Sequence, residues 1–573
     1  MKKQILLMLL LATTLTMNAV PAKRGVWKTL PLADGTEVRA QLVGDEHGHY
    51  WQSADGTAYT LQSGQQFYAK VDKQQISRRA KVRRQQINAK RIQRLQSRRA
   101  SEANKYVGDK RAVIILIDFP DLKFKSGHNN NLYQKIANQE NYNEGSFVGS
   151  MADYFKAQSG GQFVLAFDVL GPVTVSKKHS YYGENDPDNN DADKYAGEMV
   201  CEAVKLAKNL TSDWRQYDWD GDGYVDQVYL VYAGKGEADG GDESTVWPHS
   251  YNLSMAKQYG DGDGKVNVGI GIYVNTYACG PELDVESKIG GIGTMCHEYS
   301  HCLGYPDFYD TDYSGGQGMC YWDLMDGGSY NGDGFQPAGY TSYERWMAGW
   351  LEPIELGAED RSITDMKSLQ NDGECYVIYN KGNKNEYFLL ENRQLEGWDA
   401  SLPAAGLMIL HCDYDASAWL YNEVNQDPDH QRFTWVPADG EYQSGISEGE
   451  VYYTWFGMLK DLFPQRNVTS FNKDFKTKDN KVKKAAMFFN KNTDNTYWLD
   501  SSVENITQNS DKTISFDFVA SYGDSGGPSA IQNISVKPRG DAPIYTIDGR
   551  YVGTDPNRLP RGLYILNGKK FVK

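Results

Sequence analysis

The stretch Gly293-Thr-Met-Cys-His297-Glu298-Tyr-Ser-His301-Cys-Leu-Gly304-Tyr-Pro-Asp307 constrains this chain more than any other. His297 and His301 are four residues apart, so on a helix both imidazoles leave one face a turn apart and can reach a single metal ion. Glu298, next to the first of them, is placed to take a proton from a water molecule that such a metal activates. Gly304 can adopt the left-handed conformation that ends a helix. The chain can then turn back and present an oxygen ligand, Asp307, three residues further on, with Asp310 a second candidate for that third position. The competing reading, a surface helix with incidental histidines, leaves the spacing of the glycine and the aspartate unaccounted for.

The rest of the sequence places this helix in an exported protein. An apolar run at residues 5–15 follows Lys2 and Lys3 and gives way to small residues at Ala19 and Ala22. It is too short to span a bilayer and reads as a signal peptide over 1–22, which predicts a secreted or cell-surface protein with no transmembrane segment. The formal net charge of −15 is unevenly spread. Residues 1–111 carry 21 Lys and Arg against 8 Asp and Glu, and the remainder 39 against 67. An acidic body of this kind repels phosphates, so nucleic acid is excluded as a partner. The basic charge lies mostly between 73 and 111 and is nearly free of aromatic residues. It predicts a removable segment complementary to the body, a pro-segment over 23–105, with Arg98-Arg99 accessible to an Arg-specific protease ahead of the core. The seven cysteines, at 201, 279, 296, 302, 320, 375 and 412, include no CxxC pair and none in the pro-segment, so zinc ribbons and cysteine-switch latency are excluded.

Periodicity divides the chain further. Residues 23–72 read as short strands with turns at Asp34-Gly35 and Asp55-Gly56, followed by a polar helix through Ile76, Ala80, Ile87 and Leu95. The continuous apolar run 112–117 predicts a strand buried on both faces, opening an α/β catalytic domain over 106–373. Alternating strands at 375–379, 387–390, 406–411 and 513–518 predict a β-rich part over 374–519. A Gly/Ser linker follows over 520–530, then a tail over 531–573 of strand-like runs. Ser525, in Gly523-Asp-Ser-Gly-Gly-Pro528, copies a serine-protease nucleophile motif, but it sits in the linker without the His and Asp that such chemistry needs. His47 and His49 read as surface residues of a β-turn in preference to zinc-reaching residues of a latent precursor, and His249 as a residue of a cleft rim, either hydrogen-bonding there or touching substrate.

A second constellation is Asp218-Trp-Asp220-Gly-Asp222-Gly223-Tyr224-Val-Asp226. Oxygens at the first, third and fifth positions, a glycine at the sixth, the Tyr224 carbonyl at the seventh and Asp226 at the ninth match a calcium loop. Tyr229 replaces the closing Glu, and a strand is expected where an EF-hand has its second helix, so the loop predicts structural Ca²⁺ rather than a switch. The poorer string Asp261-Gly-Asp-Gly-Lys-Val-Asn267 reads as a hairpin turn.

Beyond the His297–Asp307 motif, several further stretches carry a family likeness: Ile117-Asp-Phe-Pro-Asp121, Gly149-Ser-Met-Ala-Asp-Tyr-Phe155, Val246-Trp-Pro-His249, Trp322-Asp-Leu-Met325-Asp-Gly-Gly and Glu386-Tyr-Phe-Leu-Leu-Glu-Asn-Arg393. The chain resembles the metzincin clan of zinc endopeptidases, and within it the immune-inhibitor-A-type secreted metallopeptidases. The resemblance implies a metzincin-like mixed sheet with an active-site helix, a catalytic Zn²⁺, a structural Ca²⁺, protein or peptide substrates, and Met325 as a methionine turn beneath the metal. Most metzincins have His where this chain has Asp307, which leaves the third ligand open between Asp307 and Asp310. The tail resembles the end of sorting domains of the type IX secretion system of Bacteroidetes, implying secretion machinery as a partner. The rival function class is a non-catalytic surface adhesin or glycan-binding protein on a protease fold, against which the intact motif argues.

Overall fold

The apolar run 112–117 lies at the centre of the molecule because both its faces are covered. In the strand Gly108–Asp118, Val113, Ile115 and Ile117 enter one core cluster, while Ala112, Ile114 and Leu116 enter another on the opposite face. A strand apolar on both sides fits only between parallel neighbours roofed by helices. It pairs in parallel with Phe163–Thr174 and with Val228–Lys235. The five-stranded sheet runs His249–Asn252, Thr276–Leu283, Val228–Lys235, Gly108–Asp118, Phe163–Thr174, and only the edge strand His249–Asn252 is antiparallel. Helices Asn130–Asn138 and Met151–Gln158 cover the face that also packs the active-site helix, and Ala196–Ala207 covers the other.

The computed structural model describes residues 20–62, 65–88, 106–186, 192–442, 455, 457–475 and 486–521, together with four strand segments of the tail. Residues 1–19 of the expected signal peptide, the Arg98-Arg99 pair and linker residues 522–530 with Ser525 lie outside the described residues. Two compact units are present, 1–522 and 523–573. In the second, Tyr551–Gly553, Ile544–Thr546, Leu563–Leu566 and Lys569–Val572 form a four-stranded antiparallel sheet in that order.

Within the first unit, an N-terminal antiparallel sheet of five strands, from Trp27–Pro31 to Tyr68–Val71, leads into the helix Lys73–Asn88. The β-rich part is two sheets around one core. Five strands from Ile354–Glu355 to Phe433–Trp435 face three strands, Arg361–Met366, Ile514–Val519 and Ser502–Gln508. All seven cysteines are buried and none forms a disulfide, consistent with small core residues rather than a disulfide framework. Among the described residues no helix is long and apolar enough to cross a membrane.

Two expectations change. His47 and His49 are buried, because the turn between Glu37–Asp45 and Gly48–Ser53 is pressed against the body: His49 stacks on Trp247 at 4.8 Å and its Nε2 lies 3.1 Å from Glu237 Oε1. Asp261 does not belong to a hairpin turn. Its carboxylate accepts the Gly197 and Glu198 N–H groups at 2.6 and 2.7 Å, capping the start of Ala196–Ala207 with the negative charge that a helix N-terminus favours.

Candidate metal centre

The active-site helix is short, Gly293–Ser300, and continues as a single 3₁₀ turn, His301–Leu303. Its start is possible only with glycine, since a Cβ on Gly293 would meet the Ser329 carbonyl oxygen at 1.8 Å. Its end is set by Gly304 in the left-handed region, φ 96°, from which the chain turns back toward Asp307.

This path brings His297, His301 and Asp307 together. One ligand atom from each lies within 4.8 Å of the others, and all three residues are buried. Both imidazoles are oriented from behind: Nδ1–H of His297 donates to the Leu324 carbonyl at 2.7 Å, and that of His301 to the Tyr305 carbonyl at 2.8 Å. These bonds fix the tautomer that leaves Nε2 as the acceptor nitrogen on each ring. The two Nε2 atoms lie 3.1 and 3.5 Å from the same oxygen, Asp307 Oδ1. Three electron-pair donors converging in a buried site repel one another unless a cation lies between them. The residues therefore fit a metal, and the set of two imidazoles and one carboxylate suits zinc.

Asp307 is itself held by Asn422, whose Oδ1 accepts the Asp307 N–H at 2.7 Å and whose Nδ2 donates to Asp307 Oδ2 at 2.6 Å. Nothing in the sequence points to Asn422; it comes from 115 residues away, and no local pattern announces it. Asp310, the other third-ligand candidate, is committed elsewhere: its Oδ2 accepts the Gly315 and Gly316 N–H groups at 2.7 and 2.8 Å. Met325 is buried in the same core cluster as the helix, and the carbonyl of its neighbour Leu324 is the group that touches His297.

Glu298 is completely buried, with Oε2 4.0 Å from His301 Nε2. Burial, then the nearby Asp307 carboxylate, pushes its pKa well above the usual range, while a hydrogen bond from the Val20 backbone N–H to Oε1, 2.7 Å, opposes the rise. Burial likewise raises Asp307, against the pull of His297 and Asn422. A cation at the convergence point would reverse both tendencies.

These features coincide with a similarity to known proteins. Residues 98–354 match the family described as immune inhibitor A peptidase M6, catalytic domain. This region is similar to a peptidase M6 catalytic domain. Over 316 residues it is 29% identical to the pre-pro-metalloprotease PrtV of Vibrio cholerae serotype O1, covering 46% of this chain and 34% of PrtV. It is 27% identical over 303 residues to immune inhibitor A of Bacillus thuringiensis subsp. alesti, covering 44% of this chain and 43% of that protein. The similarity thus spans less than half the length of these relatives. The matched region includes the active-site helix, the Met325 turn and the edge strand, but ends before Asn422.

The Asp218 loop lies apart from this centre. Carboxylate oxygens of Asp218, Asp220 and Asp222 lie within 4.8 Å of one another. Asp218 accepts the Gly221 and Gly223 N–H groups at 2.9 and 3.0 Å, and Gly223 takes φ 88°, the sharp turn expected of it. Asp226 accepts the Trp219 N–H, and the strand Val228–Lys235 follows. His249, expected at a cleft rim, is instead fully buried, because the edge strand that carries it is covered: its Nδ1–H donates to the Trp247 carbonyl at 2.7 Å and its Nε2 lies 2.9 Å from the Tyr277 hydroxyl.

Proposed function

We propose that this chain is a secreted zinc endopeptidase that hydrolyses peptide bonds of extracellular proteins. The observation that carries the reading is the convergence of His297 Nε2, His301 Nε2 and Asp307 Oδ1 beside a buried Glu298. His297, His301 and Asp307 would hold Zn²⁺, which when bound polarises the scissile carbonyl and makes water a nucleophile at neutral pH. Glu298 takes the proton of the attacking water and hands it to the leaving amine. Its buried setting favours holding a proton between those two steps. The names of the M6 relatives, one a pre-pro-metalloprotease, agree with this chemistry. The direct test is elemental analysis together with casein cleavage. About one zinc per chain and proteolysis abolished by a zinc chelator are expected, whereas a binding protein on a protease fold would show no proteolysis.

The N-terminal sheet and basic helix, within 23–105, are proposed as the pro-segment, supported by the burial of their Asp45–His49 turn against the body. The tail unit is proposed as an export address for secretion machinery, supported by its position after the linker.

Asp218, Asp220, Asp222 and Asp226, with the Tyr224 carbonyl, are proposed to hold a structural Ca²⁺. Clustered carboxylates repel one another without a cation, and a ligand that binds only the folded state stabilises it. A calcium-specific chelator should lower the melting temperature by several degrees without removing zinc. An unchanged melting temperature would count against the site.

A further inference from the structure

In the uncleaved chain residues 20–23, the last three of the expected signal peptide and the residue after it, lead away from Glu298 in a manner that identifies how a peptide is gripped. The Val20 N–H donates to Glu298 Oε1 at 2.7 Å. The indole Nε1–H of Trp247 donates to the Val20 carbonyl at 3.2 Å, and the Tyr330 hydroxyl to the Pro21 carbonyl at 2.9 Å. The Lys23 N–H then donates to the Ala238 carbonyl at 3.1 Å. These are four main-chain bonds from one short stretch to four groups of the body. Ala22, the one residue of the stretch whose N–H turns away, pairs with Gly44 of the N-terminal sheet, and Pro21 has no N–H to place.

The direction follows from chemistry. In the proposed reaction Glu298 gives its proton to the leaving amine, so a nitrogen hydrogen-bonded to Glu298 marks where that amine lies. The residue owning that nitrogen is the first beyond the cleaved bond, and the chain leading away from it follows the product half of a substrate. We propose that Trp247, Tyr330 and the Ala238 carbonyl are the substrate-binding groups for the first, second and fourth residues beyond the scissile bond. Substrates are accordingly extended chains reaching at least four residues past the cleavage point, and proline is accepted at the second. The groups come from separate parts of the matched region: Trp247 precedes the edge strand His249–Asn252, Ala238 lies in the turn after Val228–Lys235, and Tyr330 follows the Met325 turn. Each contact is to a main-chain atom, so the grip selects length and extension rather than side-chain identity.

This inference rests on the endopeptidase reading, and its test separates the two. The zinc-loaded full chain, nicked by limited trypsin, is assayed with peptides identical before the cleaved bond and carrying one, two or four residues after it, each ending in an amide. In the parent the second residue should raise kcat/KM about tenfold, the gain of one good hydrogen bond. In Tyr330→Phe that ratio should fall to about one, whereas loss of a merely structural hydroxyl would leave the ratio at its parent value and overturn the assignment. Trp247→Phe should weaken peptides of every length by roughly fivefold to tenfold. Calorimetric binding of Val-Pro-Ala-Lys-Arg amide to the same nicked chain provides a readout independent of turnover. Binding weakened about tenfold by either substitution supports the grip; equal binding by parent and both variants refutes it. If the peptide binds as expected but none is cleaved, the endopeptidase reading fails while the grip stands.

Discussion

Glu298→Gln is expected to lower kcat/KM on casein or a peptide by at least about a thousandfold while leaving the fold and the metal in place. A positioned proton-transfer group contributes roughly 10²–10⁴-fold, and Glu298 is asked to act twice, on the water and on the leaving amine. The amide has the shape of the carboxylate and cannot take the proton. Its oxygen can still accept a hydrogen bond of the kind that the Val20 N–H donates in the uncleaved chain. Stability should not suffer. The amide has the size of the carboxylate, and with the metal in place the cation offsets the burial of that carboxylate, so the exchange leaves the packing unchanged. The melting temperature should therefore stay close to the parent's. Zinc content, melting temperature and rate measured on one preparation decide the matter: retained cleavage would sink the mechanism, whereas loss of both zinc and cleavage would place Glu298 among the metal-holding groups instead.

The parts of this centre that were legible in the sequence are those set by local geometry. An i, i+4 pair of histidines lies on one face of any helix, and Gly304 ends the helix in the left-handed conformation, φ 96°, for a reason that holds in any chain. The run 112–117 could only be a strand buried on both faces. What stayed hidden depends on contacts across long loops. Asn422 reaches Asp307 because the β-rich part packs beside the helix, and nothing in its own neighbourhood distinguishes it from a turn asparagine. His47 and His49 look like surface residues because they flank a glycine in a polar turn; the body covers them only once Trp247 and Glu237 are in place. The role of Asp261 is hidden for the same reason, since the helix it caps begins more than sixty residues earlier. The N-terminal stretch gave no hint of its route past Glu298, because its four bonds to the body use main-chain groups that every sequence possesses.

Arg393→Met is expected to destabilise the first unit by about 3–5 kcal/mol, the loss that follows when one partner of a buried ion cluster is removed. Arg393 is wholly inaccessible to solvent. Its Nε and Nη2 donate to the two oxygens of Asp399 at 2.8 and 2.7 Å, Nη1 to Glu391 Oε1 at 3.1 Å, and Nη2 also to the Gly339 carbonyl at 3.1 Å. The carboxylates pass the connection on: Asp399 Oδ1 accepts the Gly339 N–H and Glu391 Oε2 the Ser342 N–H, at 2.9 and 2.7 Å. The guanidinium thus joins the strand Asn383–Arg393 of the β-rich part to the segment entering the helix Ser342–Met347. Methionine fills much of the volume but takes from Glu391 and Asp399 the guanidinium that is hydrogen-bonded to both, leaving Arg345 as the nearby cation acting on them, and that undercompensated burial is the source of the loss. Asp323, which burial pushes up to about 7 while the Met325 N–H and Arg393 hold it down, should move higher still. The triple variant Arg393→Met, Glu391→Gln, Asp399→Asn removes the stranded charges and should recover a substantial part of the stability, because replacing a whole buried ion cluster costs far less than breaking it. Urea titration followed by tryptophan fluorescence reads both variants. A single variant as stable as the parent, or a triple variant no better than the single, would show that charge compensation is not what Arg393 supplies.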